Sequence, residues 1–358
     1  MEIKKVLIKD FRCLDELSLS PSHNGLTLLT GENGTGKTSV LEAISYLLTR
    51  SSFRGADSAT MVRIGTAEAV LRSELSIGGR EVLVEATLAS SGRDRFLLNR
   101  LPVRSQRQLP PELSVTVCAS WDSMIISGSP AERRQYLDGL ASGLYLRYNE
   151  DRRSLDRILK QRASLLQHIG KRLDPSLIRT LDVFDEQLAS IGEAIRKARY
   201  RVITDLTEPL NSYYTAVSGN IDNIGAYYFS SWKEDLLTAL KHSRQKDIQR
   251  GVTTVGPHRD DLVLEISGRS ARGHASQGEQ RSLAIALKLA AHRLVGERVG
   301  SEPALLLDDV LADLDERRSA RLIESLPKGQ VLLAASTPLP KNITPDRVIE
   351  FPGDKHGL

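Results

Sequence analysis

The chain has 358 residues, of which 40% are apolar and 26% charged, a balance typical of folded globular proteins. Its 49 Lys and Arg outnumber 45 Asp and Glu, and the resulting net charge of +4 permits nucleic-acid binding without requiring it. With only two cysteines, Cys13 and Cys118, the chain does not support a disulfide scaffold and fits a reducing cytosol. No run of about eighteen apolar residues could span a membrane, so we expect a cytoplasmic protein.

The first part of the chain is predicted to be mostly β-structure. Residues 2–10 and 16–20 have strand character, and residues 67–88 alternate apolar and polar side chains around Gly78-Gly79, which indicates a hairpin. Further strands are predicted over 95–98 and 113–118.

A phosphate-binding loop interrupts these strands. The strand predicted over 25–30 precedes a match to G-x-x-x-x-G-K-T, and a helical apolar pattern follows it. In this motif backbone N–H groups surround phosphate oxygens, Lys37 reaches the β- and γ-phosphates, and Thr38 holds Mg²⁺. We therefore predict that ATP binds to the loop residues Gly31, Glu32, Asn33, Gly34, Thr35, Gly36, Lys37 and Thr38.

From about residue 128 the pattern becomes helical. Ser129, Pro130 and Glu132 are typical of a helix start, and long helices are predicted over 145–170 and 176–210, with a shorter one over 232–246. The basic stretch 145–172 is either a solvated helix face or part of a DNA path. Because aromatic residues are few and not interleaved with the basic runs, contact with a duplex backbone is favoured over base stacking.

The C-terminal part is predicted to alternate strands and helices, which indicates a parallel sheet. The strand starting at Leu305 ends in Asp308 and Asp309. In a nucleotide site the first carboxylate would hold Mg²⁺, and the second would act as general base for the attacking water. With Lys37, these aspartates are the predicted catalytic residues.

A second helix start precedes this strand. Ser276, Gln277, Gly278 and Glu279 form the capping-box pattern S-x-x-E ahead of an apolar run. The simpler interpretation is helix capping alone. The further one is that this helix N-terminus binds the γ-phosphate of a nucleotide held by another subunit.

This order of motifs resembles the ABC-type ATPase heads of the SMC and DNA-repair class. The run S-Q-G-E-Q at 276–280 resembles their signature motif, and residues 311–315 resemble the loop at their dimer seam. Within that class the chain is similar to the RecF family of bacterial recombinational-repair ATPases, through residues 7–12, 128–138 and 256–262.

The resemblance implies an α/β fold: an ABC-type P-loop ATPase head, with a mixed sheet, helices and an antiparallel β subdomain, into which a helical domain is inserted. The expected domains are an N-terminal head part over 1–127, a helical arm over 128–250 and a C-terminal head part over 251–358. It also implies an ATP-dependent homodimer on DNA, at a duplex or a single-strand/double-strand junction. RecO and RecR are the implied partners, with which the protein would load recombinase onto gapped DNA.

Three departures from the ABC pattern affect the expected activity. Asp309 stands where these heads usually have Glu, which predicts slow, DNA-stimulated hydrolysis and a molecular switch. Ser336-Thr337 replace the switch histidine of transporter ATPases, and the hydroxyl of Thr337 is a candidate γ-phosphate ligand. No convincing Q-loop glutamine is found, and Asp122 is a candidate to face the metal in its place.

Three alternatives remain open. A transporter ATPase subunit is disfavoured by the long interval between Thr38 and Ser276 and by the missing histidine. A structural SMC-type tether is disfavoured because the insert is too short and irregular for an extended coiled coil. A P-loop kinase would have no use for the signature helix start.

Overall fold

The computed structural model describes residues 1–171, 175–312 and 314–351. Arg172, Asp174 and Asp313, which belong to segments interpreted above, lie outside the described residues. The strands, in chain order, are β1 (Glu2–Phe11), β2 (Leu14–Leu19), β3 (Gly25–Thr30), β4 (Glu68–Ile77), β5 (Arg80–Ala89), β6 (Arg95–Leu98), β7 (Leu101–Pro102), β8 (Val115–Ala119), β9 (Ile224–Phe229), β10 (Asp261–Ile266), β11 (Arg269–Ser270), β12 (Ala304–Asp308), β13 (Gln330–Ala335) and β14 (Arg347–Glu350).

The helices alternate with these strands mainly in the second half of the chain. In order they are α1 (Lys37–Thr49), α2 (Ser58–Met61), α3 (Met124–Ser127), α4 (Pro130–Leu144), α5 (Tyr148–Lys171), α6 (Pro175–Ser218), α7 (Leu236–Arg250), α8 (Ala271–His274), α9 (Gln277–Val299) and α10 (Glu316–Glu324). The long helices predicted around 145–170 and 176–210 are confirmed as α5 and α6. The short one predicted from residue 232 begins at Leu236, because the Asp235 side chain caps it through the N–H of Thr238.

The described residues form two compact units. The first contains Met1–Ser123, Pro209–Ile221 and Ser276–Leu358, and the second contains Met124–Glu208 and Asp222–Ala275. The domain boundaries expected from the sequence, after residues 127 and 250, stay a prediction. The change from one unit to the other inside α6 falls at Pro209, whose missing N–H removes a helical hydrogen bond.

The first unit has a parallel sheet and an antiparallel sheet. The parallel sheet has the order β14-β3-β13-β12-β8, and the antiparallel one has the order β2-β1-β4-β5-β6-β7. Because β3 pairs with β13 and β13 with β12 in parallel, the carboxyl ends of these strands meet at one edge. The predicted fold class, an ABC-type α/β head with an added antiparallel sheet, is confirmed.

The core of the first unit forms around α1. Apolar side chains of α1, such as Leu41, Ile44 and Leu47, are buried with residues of both sheets in one cluster. A second cluster on the parallel sheet includes Leu289 of α9 and Val217 at the end of α6. This packing places α1 against the parallel sheet, so that its first turn follows the carboxyl end of β3.

The second unit combines helices with a small sheet. Its strands have the antiparallel order β11-β10-β9, and β9 was not among the predicted strands. Helices α5, α6 and α7 enclose a buried charge network, in which Arg162 donates to Asp185 and Asp247 at 2.8 Å each. All three side chains are fully buried, so these ions stabilise the unit only as a complete set.

Candidate nucleotide-binding site

The phosphate loop connects β3 to α1 and requires glycine for its conformation. Gly31, Gly34 and Gly36 all have positive φ, and at Gly36 φ is 100°. A Cβ atom at Gly36 would lie 2.6 Å from Leu14 Cδ2, closer than van der Waals contact allows. Both backbone conformation and space therefore demand glycine at the last loop position before the helix.

Lys37 opens α1 and folds back over the loop. Its ammonium group donates to the carbonyl oxygens of Gly31 at 2.8 Å and Glu32 at 2.7 Å, and the side chain is buried. The loop thus holds a positive charge among backbone N–H groups at a helix N-terminus. That combination is suited to a phosphate chain.

Asp308 lies beside Thr38 although 270 residues separate them in sequence. The Thr38 hydroxyl donates to Asp308 Oδ1 at 2.7 Å. Burial raises the pKa of Asp308 above its ordinary value, the hydrogen bond from Thr38 lowers it, and the charge of Asp309 raises it again. A divalent cation would relieve this buried negative charge, and the hydroxyl and carboxylate oxygens are ligands that Mg²⁺ accepts.

Asp309 follows the end of β12 in a strained backbone conformation. Its φ of 52° is unusual for a residue other than glycine, and its N–H donates to Ala334 O at 3.0 Å. Its carboxylate accepts from the N–H of Ser336 at 3.4 Å and from the Ser336 hydroxyl at 3.3 Å. Ser336, rather than the exposed Thr337, therefore contacts the second carboxylate.

These residues share one cleft of about 240 Å³. Its lining comprises Cys13, Asn33, Gly34, Gly36, Lys37, Thr38, Ser39, Arg54, Asp308, Asp309, Ala334 and Ser336. The donors and the buried carboxylate fit a nucleoside triphosphate with Mg²⁺. The predicted residues Gly31, Glu32, Thr35 and Thr337 are not part of this lining.

Sequence reasoning missed four residues of the lining, Cys13, Ser39, Arg54 and Ala334, of which Cys13 and Arg54 lie outside every segment assigned to the site. Cys13 Sγ lies 3.7 Å from Ser39 Oγ, and Arg54 lies 3.9 Å from Glu42, which also accepts a two-pronged ion pair from Arg12. Neither residue stands in a motif with a nucleotide signature. Cys13 nevertheless directly follows residues 7–12, one of the segments that carried the family resemblance.

Asp122 was a candidate to face the metal, and in the structure its carboxylate has other partners. Its Oδ1 pairs with Lys288 Nζ at 2.9 Å, and its Oδ2 accepts from the N–H of Ala119 at 2.8 Å. It does not line the cleft. Because Lys288 lies on α9 and Ala119 is the last residue of β8, the Asp122 carboxylate links α9 to the end of β8.

The predicted capping box at the start of α9 is confirmed. The Ser276 hydroxyl accepts from the N–H of Glu279, and the Glu279 carboxylate accepts from the N–H of Ser276 at 2.7 Å. A Cβ atom at Gly278 would lie 2.2 Å from Arg318 Nη1, so a guanidinium group occupies the space next to this glycine. Residues 276–279 do not line the cleft of Lys37 and Asp308.

Basic residues in the segments 128–138 and 256–262, which carried the family resemblance, have partners within the second unit. Arg133 pairs with both carboxylate oxygens of Asp261 at 2.7 and 2.8 Å, and Arg134 donates to Asp260 O at 2.8 Å. Burial lowers the pKa of His258 to about 4, so this histidine is neutral at physiological pH. These contacts give Arg133, Arg134 and His258 structural roles within the second unit.

No helix within the described ranges, 1–171, 175–312 and 314–351, is long and apolar enough to cross a membrane.

Comparison with known proteins agrees with this fold. Residues 2–334 match the family model described as the RecF/RecN/SMC N terminal domain. The DNA replication and repair protein RecF of Kineococcus radiotolerans is 38% identical over 368 residues, covering 94% of this chain and 93% of that protein. A solved structure of the recombination mediator protein RecF with ATP in the RecFOR pathway has a TM-score of 0.85 at 27% identity, covering 98% of this chain and 95% of the other.

A more distant structure shares the fold alone. It is the Smc head domain with an extended coiled coil derived from Pyrococcus furiosus, with a TM-score of 0.54 and 16% identity over 94% of this chain and 90% of that one. The parallel sheet, phosphate loop and capped α9 together define an ATP-binding, ABC-type ATPase head of the RecF/RecN/SMC class. Within that class, this chain belongs to the RecF family.

Proposed function

We propose that this chain is a DNA replication and repair ATPase that uses ATP to join two copies on DNA. One observation carries the proposal. The first unit presents a nucleotide cleft built from Lys37, Thr38 and Asp308, while the capped N-terminus of α9 stands outside that cleft. Two incomplete half-sites on one chain are completed by a second copy.

In this proposal the residues of one cleft bind the triphosphate. Residues 31–38 surround its phosphates, Lys37 neutralises the β- and γ-phosphates, and Thr38 with Asp308 holds Mg²⁺. Ser276, Gln277, Gly278 and Glu279 of the other copy face the γ-phosphate with a helix N-terminus. Thr337 remains the predicted hydroxyl ligand, and the contact of Ser336 with Asp309 makes Ser336 a further candidate.

Hydrolysis is proposed to be slow. Asp309 would accept the proton of the attacking water, but its carboxylate is one methylene shorter than the usual glutamate and is engaged by Ser336. Slow hydrolysis keeps the two copies joined for long periods. The protein would therefore act as a DNA-stimulated switch.

The named relatives support the cellular role. RecF of Kineococcus is a DNA replication and repair protein, and the ATP-bound RecF structure is that of a recombination mediator in the RecFOR pathway. We propose that this chain likewise acts on DNA in the cytoplasm, with RecO and RecR as partners in loading recombinase at gaps. The residues that contact DNA would belong to the surface of the ATP-joined pair.

Sedimentation velocity with ATP and with ADP tests the mechanism. The wild type should form a dimer with ATP and remain monomeric with ADP. Lys37→Met should lose both nucleotide binding and dimerisation. Ser276→Arg should bind ATP normally but stay monomeric, because it blocks only the opposing half-site. A wild type whose sedimentation ignores the nucleotide would refute the two-copy site.

A further inference from the structure

A second cavity lies in the second unit, away from any nucleotide motif. It has a volume of about 580 Å³ and lies between β9 and α6. Tyr228 of β9 and Ser230, which directly follows the end of that strand, form one wall. We call this cavity the β9 groove; its α6 wall comprises Glu193, Ala194, Arg196, Lys197 and Tyr200.

Strand β9 is an outer strand of its sheet. It pairs with β10 along its whole length, from Ile224 to Phe229, and in the described part of the chain no other strand pairs with it. One row of its backbone groups therefore faces away from β10. Natural proteins protect such edges with charged residues, proline or bulges, whereas the sequence I-G-A-Y-Y-F has no charge or proline and keeps a continuous register.

Large aromatic side chains are exposed around this edge. Tyr227 and Phe229 are 55% and 57% exposed on one face of β9, and Tyr200 on the groove wall is 62% exposed. Tyr227 and Phe229 alternate with Tyr228 and so lie on the opposite face of β9, but a strand added beside β9 has side chains on both faces. Exposed apolar groups are typical of binding surfaces. A chain laid along β9 would cover them.

The charge left unpaired in the β9 groove is positive. The Glu193 carboxylate accepts from Trp232 Nε1 at 3.0 Å and from the N–H of Leu236 at 3.2 Å, and it pairs with Arg196 at 2.7 Å. The exposed Lys197, on the same wall, has no ion pair among the described residues. The groove therefore offers apolar walls and one available cation.

From these observations we propose that the β9 groove docks an extended acidic segment of a partner protein by strand addition. The segment's backbone pairs with the outer edge of β9, an apolar side chain enters between Tyr200 and Tyr228, and a carboxylate meets Lys197. Single-stranded nucleic acid also suits aromatic rings and a lysine. It offers no backbone N–H and C=O ladder for the strand edge, so the edge favours a peptide.

Selection of displayed random peptides on the full-length chain tests this proposal. Enriched peptides should alternate apolar with acidic residues, and their fluorescein-labelled synthetic forms should bind the chain in anisotropy titrations. Lys197→Glu should weaken binding about tenfold, the effect expected for reversing one charge contact. Tyr200→Ala should weaken it as well. Lys241→Glu, an exposed lysine of the same unit that does not line the groove, should leave it unchanged.

Two further probes distinguish a peptide from single-stranded nucleic acid as the ligand of the β9 groove. A peptide with alternate backbone amides N-methylated should lose binding, because it cannot extend the sheet. Fluorescein-labelled oligothymidine should bind equally to wild type and Tyr200→Ala. The proposal is overturned if no enriched peptide depends on Lys197 and Tyr200, if N-methylation has no effect, or if oligothymidine displaces the peptide and itself depends on Tyr200. None of these outcomes depends on nucleotide binding or dimerisation.

Discussion

At the scale of single residues, the candidate site depends on glycines whose conformation other residues cannot adopt. Gly36 combines a φ of 100° with the close approach of Leu14, and it directly precedes Lys37. The backbone conformation that glycine permits, rather than flexibility of the glycine itself, directs the N–H groups of the loop toward phosphate. Any side chain at this position would shift the N–H groups that the phosphates need.

Gly36→Ala should therefore destabilise the chain by about 1–2 kcal/mol, the cost of a left-handed conformation, and more if Leu14 cannot move. ATP binding should be lost. Urea denaturation and equilibrium binding of a fluorescent ATP analogue measure the two effects. Gly79→Ala is the matched control, because Gly79 has a φ of 77° with open space around it. Gly79→Ala should lower stability through backbone strain alone and should keep ATP binding. Equal ATP binding by Gly36→Ala and Gly79→Ala would contradict the role of Gly36 in shaping the phosphate loop.

Asp308 gives a second prediction at this scale, because burial raises its pKa. The folded chain then binds a proton more tightly than the unfolded chain, so stability falls as pH rises above the ordinary carboxyl value of about 3.9. The loss is complete once pH passes the raised pKa. Asp308→Asn removes this penalty and keeps an oxygen acceptor for Thr38.

Without nucleotide, Asp308→Asn should match the wild type at acidic pH and be more stable than it at neutral pH, while ATP binding with Mg²⁺ weakens. Urea denaturation across a pH series measures this. Asp235→Asn should show the opposite pH dependence, because the N–H of Thr238 lowers the pKa of that capping carboxylate. The stability that the ionised Asp235 contributes is present at neutral pH and is lost at acidic pH. A stability difference at Asp308 that does not change with pH would contradict the electrostatic explanation.

At the scale of elements, three helices of the second unit are joined by ions rather than by apolar contacts alone. Arg162 on α5 reaches Asp185 on α6 and Asp247 on α7, and its Nη1 also donates to Thr253 at 2.9 Å. Arg244 adds a further contact to Asp185 at 2.7 Å. Removing one member leaves buried charges that water cannot reach.

Arg162→Met should lower the free energy of unfolding by about 3–5 kcal/mol, since two fully buried carboxylates lose their main partner. Lys160→Met, an exposed change on the same helix, should stay within about 0.5 kcal/mol of the wild type. Chemical denaturation followed by circular dichroism measures both. The Thr254 hydroxyl also donates to Asp247, at 2.6 Å. A small effect at Arg162 would therefore mean that Arg244 compensates Asp185 and Thr254 compensates Asp247.

At the scale of the whole molecule, the described residues form two units with separate cores, and the nucleotide cleft lies in the first. The cleft residues all belong to the first unit, whereas the Arg162 network belongs to the second. Chains built in this way commonly unfold in more than one step. A ligand that binds one unit stabilises the folded form of that unit by mass action.

We expect calorimetry to show two unfolding transitions, of which ATP with Mg²⁺ raises only one. At a hundredfold excess over the dissociation constant the stabilisation is about 2.7 kcal/mol. Lys37→Met should abolish the ATP effect, and Arg162→Met should lower the other transition. A single transition that moves as a whole with ATP would show that the two units unfold together.

Features set by neighbouring residues could be predicted from the sequence alone. The phosphate loop, the Ser129 and Ser276 caps and the Gly78-Gly79 hairpin each depend on residues within a few positions, so residue type and spacing determine them. The strand ending in Asp308 could be assigned as well, because the apolar run 304–307 is typical of a strand inside a sheet, and all five residues of β12 are buried.

Features set by sheet register and packing were decided only by the tertiary structure. Pairing of distant strands brings Asp308 to Thr38 and Ser336 to Asp309, and burial places Arg162 between two helices; no local pattern encodes such distances. The same packing paired Asp122 with Lys288 and left β9 as an outer strand beside Lys197. The sequence by itself thus determined what kind of ligand the phosphate loop holds. The fold decided which distant side chains share the cleft, because their contact depends on how strands far apart in the sequence pair with each other.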